Sequence, residues 1–179
     1  MAEEKKERWT TYMAITTVII AVIATMSTFK GGGFSTRSLL NQTKASDMWA
    51  FFQSKSIKSY IYELRGENLE TQIDVLEKQK GNEQLVAKYK AKVEDYKQKV
   101  SKYEEEKEGI KKDAKGFEDL RDECKKHSDK FGIAVIFLQI SILLSSIAAL
   151  SKKKFVWICS MILGVFGIIY FVNGFFLLF

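Results

Sequence analysis

Apolar and polar positions alternate along this chain in two different ways. Residues 86–103 read VAKYKAK, VEDYKQK, VSKY, a seven-residue unit in which Val86, Val93 and Val100 share one position and Tyr89, Tyr96 and Tyr103 follow three residues later. Spacing of three then four keeps all six on one stripe of a helix, the pattern that winds helices together. The phase runs on through Ile110, Ala114 and Phe117, with Lys107 as an interruption. The second pattern is unbroken. Residues 9–29, 131–150 and 155–179 form blocks of 21, 20 and 25 residues that contain no Asp, Glu, Lys or Arg. A bilayer core about 30 Å thick needs about 20 apolar residues in a helix, so the blocks predict three transmembrane helices.

The intervening polar segment predicts helix on both sides of a turn. Gly81-Asn82 is a turn signal, and residues 36–80 and 83–128 make limbs of nearly equal length around it. The fold class expected is therefore an all-α membrane protein, with three transmembrane helices and a long antiparallel helical-hairpin (coiled-coil) stalk between the first and second spans. Its parts are an N-terminus at 1–8, a first span at 9–29, a Gly-rich hinge at 30–35, and the hairpin at 36–130. A second span at 131–150, a basic loop at 151–154 and a third span at 155–179 complete it. Ser35 or Thr36 is expected to cap the helix after the hinge. Gly66 is a candidate irregularity. The 179 residues include no proline, which suits long uninterrupted helices.

Charge refines the pairing. Lys90, Lys92, Lys97 and Lys99 flank the Val/Tyr stripe and would repel in a parallel homodimer. Glu63, Glu67, Glu70, Asp74 and Glu77 offer acidic partners on the first limb, which favours antiparallel contacts. The net charge is +6, but residues 30–130 hold 22 basic and 19 acidic side chains. That mixture is a solvated surface, and no nucleic-acid partner is expected. Short basic segments at Lys5, Lys6, Arg8 and at Lys152, Lys153, Lys154 place the N-terminus and the 151–154 loop in the cytoplasm by the positive-inside rule. The stalk is then periplasmic, in a bacterial inner membrane. The first block reads as an uncleaved anchor, because no small-residue cleavage site follows it.

Small residues mark seams where helices can approach closely: Thr17, Ala21 and Thr25 in the first span, Ser141, Ser145 and Ala149 in the second, and Ser160, Gly164, Gly167 and Gly174 in the third. Gln139 is an amide within the second span and needs a partner helix.

Residues 44–58, KASDMWAFFQSKSIK, read as a two-faced helix. Ala50, Gln53, Ile57 and Leu64 share one stripe, Trp49, Phe52, Ser56 and Tyr60 the next, with Lys44, Asp47, Lys55 and Lys58 opposite. The aromatics read as core or subunit interface, and Lys44, Asp47 and Lys55 as a polar collar. The oligomer or partner contacts expected are Trp49, Phe52, Gln53, Ile57, Val86, Tyr89, Val93, Tyr96, Val100, Tyr103 and Gln139.

The KASDMWAFFQSKSIK stretch, the three apolar blocks, the heptads and the SKKKFVW turn together resemble an uncharacterised bacterial three-span membrane family, domain of unknown function 4337. The resemblance covers nearly the whole chain. The family pattern often has glutamine where this chain has Met48, and tyrosine where it has Phe51 and Phe52, so no role for a hydroxyl carries over to those two positions. It implies an architecture and no activity.

Catalytic chemistry is not legible. His127 is the single histidine, and Cys124 lies three residues before it. Two ligands on a charged helix are a weak metal signal, so no metal and no cofactor are expected. The function expected is a non-enzymatic scaffold or accessory subunit, homo-oligomeric and in contact with the bilayer and with another membrane complex. The alternative is an oligomeric channel or transport-related pore.

Overall fold

The structure, a computed structural model, describes residues 2–79 and 81–179, with side chains from Trp9 onward. Lys5, Lys6 and Arg8, on which the orientation expectation leans, and Lys80 at the end of the first limb lie outside the described side chains. The described residues form three helices and no strand: α1 Ala2–Glu77, α2 Glu83–Ser151 and α3 Lys154–Phe176. Each contains a stretch long and apolar enough to cross a membrane.

The breaks fall where the chain has turn chemistry. Gly81 sits between α1 and α2 with φ +99°, a conformation that L side chains rarely adopt. Lys152 has φ 54° between α2 and α3. At the end of α3, Leu177 is left-handed and its N–H bonds the Asn173 carbonyl at 2.8 Å.

Three local expectations are overturned. Residues 30–35 are not a hinge, and they continue α1. Three glycines cost a helix about 1 kcal/mol each relative to alanine, but the first of them, Gly31, is held by its neighbours. Ser128 donates to the Gly31 carbonyl at 3.0 Å, and a Cβ on Gly31 would stand 3.0 Å from the Phe131 Cβ. Nor does Thr36 cap a new helix, since its hydroxyl bonds the Gly32 carbonyl one turn back. Gly66 is likewise helical.

The chain divides into two compact units, Met1–Leu40 with Leu120–Phe179, and Asn41–Asp119. In the first, Ile20, Ala24, Ala134 and Leu138 make a buried core, with Met161 and Ile168 packed on it. The α3 glycines let helices touch. A Cβ on Gly164 would meet Ile20 at 2.9 Å, and one on Gly174 would meet the Phe131 ring at 2.8 Å. Ser141 and Ser160 exchange hydrogen bonds with each other's carbonyls at 2.7 and 3.0 Å. Thr17 and Ser145 hydroxyls lie 2.5 Å apart. The three small-residue seams thus meet, although Thr25 and Ala149 face outward. In this unit α1 and α3 run parallel, since Trp157 reaches Thr16 at 3.5 Å while Lys30 lies over Phe175.

In the second unit, contacts between α1 and α2 descend in register. Trp49 meets Glu118, Ser59 meets Glu104, Glu70 meets Lys97 and Glu77 meets Lys90. These segments therefore run antiparallel.

Candidate interaction surfaces

The Val/Tyr stripe of α2 is half-buried or buried at every expected position from Val86 to Tyr103, and α1 of the same chain covers it. Tyr62 stands 5.4 Å from Tyr96 and stacks on Tyr103 at 5.9 Å. The α1 surface that meets this stripe repeats every seven residues, through Ala45, Phe52, Ser59, Gly66 and Ile73, with Met48, Lys55, Tyr62, Leu69 and Leu76 between them. Residue types hid this register. Serine, glycine and lysine occupy interior positions, so no apolar periodicity announces it. Fitting a heptad to Ala45, Phe52 and Ile73 would have found it.

Polar side chains form a layer inside this pairing. Lys55 Nζ lies 2.5 Å from Glu106 Oε2 and 5.2 Å from the rings of Phe51 and Tyr103. Lys107 bonds both Glu104 oxygens at 2.8 Å, with its ammonium 5.4 Å from the Phe52 ring. Ser59 is buried and donates to Glu104 at 2.9 Å. Lys107 therefore stays in the stripe, because a long lysine stem covers apolar surface while its head is neutralised. The Glu104 carboxyl is held below the usual carboxylate range by Lys107 and then by Ser59. Glu106 is lowered by Lys55. Towards the turn, Glu70 beside Lys97 raises that ammonium, and Glu77 pairs with Lys90 at 2.8 Å. Lys99 bonds Asp95 on its own helix.

The expected collar does not converge. Lys55 is on the interior face rather than opposite it, because its charge meets Glu106. Lys44 lies 5.5 Å over the Phe117 ring, and Asp47 stands exposed. Trp49 donates to Glu118 at 2.9 Å and packs edge-on to Phe52. Gln53 and Ile57 face outward, Ile57 with Leu64 on an exposed apolar strip of α1.

In the other unit Gln139 is exposed, flanked by exposed Ile136, Ile140 and Leu143. His127, the weak metal candidate, is otherwise engaged. Its Nδ1 lies 2.8 Å from the Gly174 carbonyl and its ring stacks on Phe34 at 4.5 Å. Cys124 and Cys159 are free thiols. No group of three metal-ligating side chains occurs among the described residues.

No curated protein and no solved structure matches this chain. The family described as Domain of unknown function (DUF4337) matches residues 9–177. That match spans almost all of the 179 residues, the apolar helices and the polar segment alike. The chain therefore belongs to the DUF4337 family.

Proposed function

We propose that this chain is a non-enzymatic integral membrane protein that assembles with copies of itself as a scaffold or accessory subunit. The three apolar helices cross the bilayer. Residues 36–130 form a helical-hairpin stalk between the first and second spans. The N-terminus and the 151–154 loop lie in the cytoplasm of a bacterial inner membrane, and the stalk in the periplasm.

The observation that carries this reading is Gln139. Its amide is exposed on the outer face of α2, among Ile136, Ile140 and Leu143. In hydrocarbon an amide without a partner costs several kcal/mol in principle, about 1 kcal/mol by measured helix associations. A second copy supplies the same amide at the same depth, with a donor for each acceptor. The exposed strip of Ile57 and Leu64 on α1 offers a further contact outside the membrane.

The test is cross-linking in native membranes with Cys124 and Cys159 replaced by serine. Gln139→Cys is expected to form a disulfide-linked dimer, and Leu138→Cys, fully buried within the chain, is not. Equal cross-linking at both positions, or none at either, would overturn the reading.

A further inference from the structure

Two of the three consecutive glycines in α1 have no explanation inside the chain. A Cβ on Gly31 meets Phe131, whereas a Cβ on Gly32 or Gly33 meets nothing within 4 Å. Each costs the helix about 1 kcal/mol relative to alanine. They line an open groove of about 590 Å³ on the outside of α1, together with Phe29, Phe34, Thr36, Lys30 and Arg37. Lys30 and Arg37 are seven residues apart and both exposed, so they stand on one face of the helix, two turns apart. The sequence contains no Asp or Glu anywhere between residues 9 and 46. The charges of the groove are therefore uncompensated along its own helix. Each cation also lies near an aromatic ring. Arg37 lies 5.8 Å from the Phe34 ring and Lys30 lies 5.9 Å from the Phe175 ring.

We infer that the Gly32-Gly33 notch, bordered along one edge by Lys30 and Arg37, binds the phosphate headgroup of an anionic membrane lipid. The inference rests on the membrane reading above, because that reading sets the depth. Lys30 follows directly on a 21-residue apolar block, which is the length that crosses the hydrocarbon, so it arrives where lipid phosphates lie. Phe29 is 79 % exposed on the apolar side of the notch and suits an acyl chain. Glycine lets a phosphate approach the helix backbone, and Arg37 offers the forked donors that match phosphate oxygens.

The experiment uses the full-length chain in phosphatidylcholine vesicles doped with phosphatidylglycerol. Lipid retained after detergent extraction is counted by mass spectrometry. The wild-type chain is expected to retain phosphatidylglycerol preferentially. Lys30→Gln with Arg37→Gln is expected to weaken that retention about 30-fold, from two basic contacts at the surface. Gly32→Leu with Gly33→Leu, which fills the notch and keeps the charge, is expected to weaken it too. Lys152→Gln with Lys153→Gln serves as the control and leaves it unchanged. Equal retention of both lipids, or unchanged retention in the Lys30→Gln, Arg37→Gln chain, would sink the proposal. Full displacement of the lipid by inorganic phosphate would assign the notch to the free anion and overturn the lipid source. Release of the chain by an alkaline wash would overturn the membrane reading itself, whereas a chain that resists the wash and shows no lipid preference fails only the headgroup site.

Discussion

His127 Nδ1 lies 2.8 Å from the carbonyl oxygen of Gly174. A carbonyl only accepts, so Nδ1 carries the proton and donates. Gly174 is within the last turn of α3, where carbonyls lack intrahelical partners. The bond therefore ties α2 to α3 through an otherwise orphaned acceptor, while the imidazole stacks on Phe34. His127→Phe keeps the ring and deletes the donor. Thermal unfolding in detergent is expected to show a loss of about 1–3 kcal/mol, with partial rescue in His127→Gln. An unchanged midpoint would mean that water replaces the bond at no cost.

Glycines in the two units should respond in opposite directions. A Cβ on Gly167 would stand 2.6 Å from Leu138 Cγ and 3.1 Å from the Leu138 backbone nitrogen. The backbone cannot step aside without parting α2 from α3, so Gly167→Ala is expected to cost about 1–3 kcal/mol. A Cβ on Gly66 meets nothing within 4 Å, so Gly66→Ala is expected to gain about 1 kcal/mol from helix propensity. Urea unfolding of each variant checks the pair. A loss at Gly66 equal to that at Gly167 would contradict the packing described for Asn41–Asp119.

Acid should loosen the Asn41–Asp119 unit. The carboxyls of Glu104 and Glu106 are both held below the ordinary glutamate value by Lys107, Ser59 and Lys55. A carboxyl lowered on folding contributes stability above its unfolded value, and that contribution fades as pH falls through the lowered folded value. Stability is thus expected to be flat at neutral pH and to fall in the carboxylate range. Glu104→Gln with Glu106→Gln should flatten the fall. Because these side chains reach solvent, salt should shrink the effect. A melting point independent of pH down to the acid range would contradict the layer.

How much of this was legible in the sequence differs by element. The apolar blocks were plain, because a span is a contiguous run that needs no register. The α2 stripe was plain too, since valine and tyrosine recur through three heptads before Lys107 interrupts them. Its partner face was not. Ser59, Gly66 and Lys55 hold interior positions, and the two polar ones are justified only by residues far away in sequence, Ser59 by Glu104 and Lys55 by Glu106. The glycine run misled for a similar reason. Locally it reads as a hinge, yet Phe131 and Ser128 hold Gly31 within a helix. The place of Lys55 was hidden because charge opposite an apolar stripe looks like surface, whereas Lys55 is neutralised inside.

Self-assembly of a membrane-embedded chain through surfaces that include Gln139 would fix the mass of the solubilised particle. The most direct measurement is the mass of the detergent-solubilised protein by light scattering, corrected for bound detergent. The expected mass is a defined multiple of the 20.5 kDa chain, falling towards one copy in Gln139→Leu. A wild-type mass of one chain would contradict it, and would leave the exposed faces of Gln139 and Ile57 to a different protein.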